Sequence, residues 1–121
     1  MMLLTPDVQA ELRRGQLIDI TTHGRQTGQP RRIELVFHNV GGRILISGKP
    51  GHLRGWIANL RVDPRMTFHL KGRITADLPA RGRVIEDREE RERFLPPIAR
   101  LWRIDLATMV RSAPLVEVTF D

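Results

Sequence analysis

The sequence predicts a small antiparallel β-barrel, mainly β with short helices, an α+β chain in composition. Three observations carry this. Six or seven short apolar runs have strand composition and are bounded by Gly, Pro, Asn or Asp. Gly41-Gly42 sits between two of them as a hairpin signal. Only three segments have helical character, and all are short. No repeat, low-complexity tract or linker divides the 121 residues, so the expectation is one domain over residues 1–121.

The elements follow in order. Thr5-Pro6 is a helix start, an N-cap hydroxyl followed by proline at the first helical position, and Gly15 can end that helix. Leu17 to Thr22 is a strand. A turn of Gly, Pro and Arg follows, then a strand from about Arg32 to Asn39. After Gly41-Gly42, Arg43 to Ser47 is the next strand, broken by Gly48-Lys49-Pro50-Gly51. Leu53 to Val62 fits a short helix, with Trp56, Ile57 and Leu60 on one face and Asp63-Pro64 as the stop. Met66 to Leu70, Ile74 to Leu78 and Arg83 to Glu86 read as strands, the last two separated by Pro79 and Gly82. Asp87-Arg88-Glu89-Glu90 resembles a capping box with acids at the positive dipole end. Pro96-Pro97 should interrupt the helix it opens. Trp102, Leu106, Met109 and Val110 form a helical stripe, read as core or as a lid over a pocket. Pro114 leads into a last strand, Leu115 to Phe120.

Composition narrows the function classes. No apolar run approaches the ~18–20 residues that cross a bilayer. The start, Met1-Met2-Leu3-Leu4, is too short for a signal-peptide core, so a cytoplasmic location without an integral membrane segment is expected. The absence of cysteine excludes disulfides, thiolate catalysis and Cys-based metal sites. Tyrosine is absent too. The net charge is +6, and 18 of the 20 basic residues are arginine. Codon bias or a heat-adapted surface is one explanation; an anionic partner is the other. Nucleic acid is not expected: the basic residues are scattered, only two Trp and four Phe could stack on bases, and no binding signature is present.

The stretch His23-Gly24-Arg25-Gln26-Thr27-Gly28-Gln29-Pro30-Arg31-Arg32 is the most informative. It joins two strands through a turn that offers backbone N–H groups and three guanidinium forks. Such a turn suits a phosphate or a row of carboxylates.

Two further motifs follow it: Ile46-Ser47-Gly48-Lys49-Pro50-Gly51 after Gly41-Gly42, and Trp56-Ile57-Ala58-Asn59-Leu60-Arg61-Val62-Asp63-Pro64. The series, from about Leu17 to Leu70 and more loosely to the C-terminus, resembles the deazaflavin-dependent nitroreductase family of split β-barrel flavin and deazaflavin oxidoreductases. The resemblance implies a split β-barrel of the FMN-binding-like kind. It implies coenzyme F420, a 5-deazaflavin with a phosphate and an oligoglutamate tail, in preference to FMN. It places Arg25, Gln26, Thr27, Gly28 and Arg31 in the turn, and Ser47, Gly48 and Lys49 in the loop, around the phosphate and tail. It places Trp56 and Asn59 on the far side of the groove. Two positions depart from the family pattern: Gln26 stands where Lys is common, and the substrate-side tyrosines of nitro-reducing members are missing.

In such a protein the cofactor carries the reaction, and the chain must bind it, orient it and exclude wrong acceptors. No side chain is therefore assigned a catalytic role. The activity implied is transfer of a hydride from reduced deazaflavin to a small electrophile such as a quinone, an enone or a nitroaromatic. The alternative is a protein of the same fold that binds a deazaflavin, a flavin or a fatty acid without turnover. A homodimer is left open. Each residue also has a plainer reading: Arg25, Arg31 and Lys49 as solvated loop cations, Thr27 and Gly28 as turn geometry, Trp56 as a core anchor, Asn59 as a helix-surface amide. His23, His38, His52 and His69 are dispersed and fit no metal pattern, so no metal site is expected. His23, next to the turn, is the candidate for a pocket-rim acid.

Overall fold

The computed structural model describes residues 4–51 and 54–121. Six antiparallel strands close into a barrel in the order β1-β2-β3-β6-β5-β4. They are β1 (Leu17–His23), β2 (Pro30–Val40), β3 (Arg43–Ser47), β4 (Arg65–Lys71), β5 (Thr75–Val84) and β6 (Leu115–Phe120). Four helices accompany them: α1 (Pro6–Leu12), α2 (Gly55–Val62), α3 (Arg88–Trp102) and α4 (Leu106–Ser112). The start of α1 is as the sequence suggests, with the Thr5 hydroxyl accepting from the Val8 N–H at 3.3 Å. Of the helix expected from Leu53, that first residue, like His52, lies outside the described residues.

Alternation along the strands builds two cores. Ile18, Ile20, Phe37, Ile44, Ile46, Met66, Phe68 and Leu70 point into the barrel with Val116 and Val118. Phe68 meets Phe37 and Phe120 edge to face, with ring centroids 5.3 and 5.2 Å apart. Helix α2 adds Trp56, Ile57 and Leu60 to this cluster. Leu45 and Leu115 point the other way and meet Ile85, Phe94, Leu95, Ile98 and Met109 beneath α3 and α4. β3 is thus covered on both faces, which explains its unbroken apolar run.

Three expectations are corrected. The two strands expected at 74–78 and 83–86 are one strand, β5. Pro79 is tolerated because its carbonyl faces the end of β6, where it accepts from the Asp121 N–H, so the missing proline donor falls beyond the last β5–β6 pair, Ala80↔Phe120. Gly82 does not break the strand; it lets α2 come close, since a Cβ there would lie 3.1 Å from Leu60 and Val116 and 3.2 Å from Met66. Pro96-Pro97 does not interrupt α3, which runs from Asp87 as N-cap through both prolines. Phe94, Leu95, Ile98 and Ala99 are buried on either side of the pair, and their packing holds the helix where two backbone bonds are missing. The break comes later, at Arg103 in the left-handed conformation (φ 55°), so the Trp102–Val110 stripe is divided between α3 and α4.

Candidate functional site: an arginine turn beside two clefts

The β1–β2 turn is closed by its own backbone. Gly24 N–H donates to the Gln29 carbonyl at 2.8 Å and Gly28 N–H to the Gly24 carbonyl at 2.7 Å. Gln29 N–H donates to the Thr27 hydroxyl at 3.2 Å. Gly28 has φ +73°, a conformation that favours glycine. The N–H groups of Gln26 and Thr27 have no acceptor among the described residues, while those of Gly24, Arg25, Gly28 and Gln29 are engaged within the protein.

Asn59 locks this turn to α2. Its side-chain oxygen accepts from the Arg25 backbone N–H at 3.0 Å and from the Arg25 guanidinium at 3.2 Å. Its amide N–H donates to the Thr22 hydroxyl at 3.2 Å. Asn59 is buried, so the helix-surface reading is replaced by that of a clamp between β1, the turn and α2.

A cleft of about 330 Å³ opens beside the clamp, lined by Arg25, Gln26 and Thr27 from the turn, Arg31 at the start of β2, and Trp56 and Asn59 from α2. Six sequence-selected residues therefore converge. Gly28 belongs to the same turn and sets its shape. Trp56 serves both as core anchor and as cleft wall. His23 and Lys49 line neither this cleft nor the larger one.

Ser47, Gly48 and Lys49 lie apart from the small cleft. The buried Ser47 hydroxyl donates to the Pro114 carbonyl at 2.6 Å. Gly51 N–H donates to the Ser112 carbonyl at 3.2 Å, tying the loop to the end of α4. Arg54 bridges the two regions: it donates to the Lys49 carbonyl at 2.9 Å, and its guanidinium lies 2.9 Å from where a Gly48 Cβ would be.

A second, larger cleft of about 1460 Å³ shares Arg25 and Gly55 with the first. Its apolar lining includes Ile57 and Ala58 of α2 and Leu106, Ala107 and Val110 of α4. Its cationic lining is Arg25, Arg54, Arg61, Arg88, Arg91 and Arg111, against Glu86 and Glu92. Arg61 pairs with Glu86 and Arg88 with Glu92, each at 2.8 Å. Among the described residues Arg91 pairs with no carboxylate; it donates to the carbonyls of Ile85 and Val110 at 2.8 Å, of Met109 at 3.1 Å, and of Ala113. Burial pulls its pKa, like that of Arg54, below the usual guanidinium range, and both stay charged. Sequence reasoning missed Arg54, Arg91 and Arg111; arginines scattered before α2 and on α3 and α4 give no local signal of convergence.

The donor set fits a deazaflavin carrying phosphate: guanidinium groups and, among the described residues, two N–H groups without an acceptor in the turn, and apolar side chains of α2 and α4 in the adjoining cleft. The sequence model of the F420H(2)-dependent quinone reductase family matches residues 5–112. The chain belongs to this family. Its cofactor is coenzyme F420, and its activity class is F420H2-dependent oxidoreduction. Solved structures share the shape. A conserved hypothetical protein of Mycobacterium tuberculosis superposes with a TM-score of 0.73 at 17% identity, covering 99% of this chain and 82% of that one. An F420-H2 dependent reductase, FDR-A, gives 0.63 at 18%, covering 85% and 93%. A protein of the pyridoxinephosphate oxidase family from Clostridium acetobutylicum gives 0.67 at 11%, covering 94% and 80%. At these identities the likeness bears on the fold, which is the expected split β-barrel of the FMN-binding-like kind. Among the described residues no helix is long and apolar enough to cross a membrane.

Proposed function

We propose that this F420H2-dependent reductase, a single cytoplasmic domain over residues 1–121, reduces a small planar electrophile, a quinone before an enone or a nitroaromatic. Coenzyme F420, when bound, supplies a hydride, two electrons together, so that a quinone leaves as its quinol. The chain's part is to bind, orient and exclude water. Arg25, Arg31 and the N–H groups of Gln26 and Thr27 would hold the phosphate and tail, in a turn shaped by Gly28. Trp56 and Asn59 would close that side. Ser47, Gly48 and Lys49 would border the site through Arg54. Among the described residues no histidine lines either cleft, and the proton that completes reduction would come from water.

The observation that carries this reading is the Asn59-locked turn opening onto the larger cleft. About 1460 Å³ exceeds the ~300–1,000 Å³ of a single-ligand site, leaving room for cofactor ring and acceptor side by side. That proximity is what transfer between two bound molecules needs. Fluorescence titration with oxidised F420, FMN and a fatty acid tests the binding, followed by turnover of reduced F420 with a quinone. Tighter binding of F420 than of FMN, with quinone-dependent loss of reduced cofactor, is expected. Equal or tighter FMN binding would overturn the assignment of the turn. Tight F420 binding without turnover would favour a binding protein, the second reading, which the missing tyrosines and Gln26 favour.

A further inference from the structure

We propose that the acceptor carries a carboxylate and that Arg111 receives it. The proposal rests on reading the larger cleft as the place where cofactor and acceptor meet. Leu106, Ala107, Val110 and Arg111 all line that cleft. They stand at i, i+1, i+4 and i+5 on α4, so they share one face. The face is an apolar strip that ends in a guanidinium. At 1.5 Å per residue its length from Leu106 to Arg111 is about 7.5 Å, the span of a fused pair of rings with a substituent at one end.

The charge of the cleft points the same way. Its two carboxylates are already engaged, Glu86 by Arg61 and Glu92 by Arg88. Arg91 is engaged by four carbonyls and Arg25 by Asn59. Arg111 faces no carboxylate among the described residues. An excess of positive charge in a concave site with apolar walls draws an anion. A guanidinium takes a carboxylate through two parallel N–H···O bonds, which also fixes the orientation of the ring attached to it. Arg111 does not line the small cleft, where the turn arginines would hold the cofactor's own phosphate.

The test uses a matched pair of acceptors, 1,4-naphthoquinone-2-acetate and its methyl ester. Calorimetric titration of each into the protein, with and without bound F420, is combined with turnover of reduced F420. The wild type should bind the acid roughly tenfold more tightly than the ester at low salt, the worth of one charge-assisted contact. The margin should narrow as salt is raised. Arg111→Gln should bring the acid's Kd and KM up to those of the ester, while the F420 Kd holds. Equal binding of acid and ester by the wild type overturns the proposal. So does an Arg111→Gln variant that weakens F420 itself and treats both acceptors alike. Failure of F420 to bind would instead overturn the reading of the arginine turn, and the titrations without cofactor would still decide the role of Arg111.

Discussion

The Asn59 side-chain oxygen holds Arg25 at two points, its backbone N–H at 3.0 Å and its guanidinium at 3.2 Å. One amide on α2 thereby fixes both the path of the turn and the direction of its first cation. Asn59→Ala leaves the Arg25 N–H without its partner, a loss of ~1–3 kcal/mol, and the Tm should fall by about 4 °C or more. Asn59→Asp separates structure from charge. A carboxylate can still accept from Arg25, and the Thr22 hydroxyl can turn to donate to it. The Tm should then stay close to wild type while F420 affinity falls about tenfold, because Arg25 is neutralised. Calorimetry and fluorescence quenching check the pair; unchanged affinity in both variants would remove Arg25 from the site.

Arg31 is exposed and has no carboxylate partner among the described residues, so its removal should leave the fold alone. Arg31→Ala is expected to weaken F420 binding tenfold to a hundredfold and to leave the Tm without cofactor within about a degree. Lys49→Ala should weaken it less, since Lys49 lines neither cleft. An equal loss at both positions would show that the loop reaches the ligand.

Much of this was legible in the chain. The arginine turn, its partner helix and the barrel class can be read because each rests on local signals: glycine and proline at turns, apolar spacing in strands and helices. The failures share one cause. Pro79, Gly82 and Pro96-Pro97 are breakers by propensity, yet the barrel end, the approach of α2 and the second core override them. Convergence of Arg54, at the start of α2, with Arg91 of α3 and Arg111 of α4 is a property of tertiary packing, and no spacing along the sequence encodes it.

Gly82 supplies a stability prediction. Its Cβ position is crowded from three sides, by Leu60, Met66 and Val116. Gly82→Ala should cost about 1–3 kcal/mol through overpacking, read as a shift in the denaturation midpoint at constant m. An unchanged midpoint would mean that α2 slides away freely.

His38 predicts a pH dependence. It is buried against Trp102, with ring centroids 5.4 Å apart, and its Nε2 has no hydrogen-bond partner. Burial holds its pKa below the ordinary 6.5. The unfolded chain therefore takes up this proton before the folded one does. Its contribution to stability is fully present above about pH 6.5 and is lost as pH falls through the lower folded value. The Tm should drop between pH 7 and pH 5, above the ordinary carboxylate range. His38→Phe, which keeps the ring contact, should flatten that slope. A slope unaffected by the substitution would place the titrating group elsewhere.

The position of β6 sets an order of events during synthesis. It is inserted between β3 and β5 although it follows both in the chain. Until residues Leu115–Phe120 are available, β3 and β5 each present an open row of backbone donors and acceptors, and the cluster around Leu45 lacks Leu115. A nascent chain emerging from the ribosome therefore carries two sticky margins until β6 is made, and joining them is a long-range event. Premature termination before Leu115 should yield material that self-associates rather than a smaller barrel.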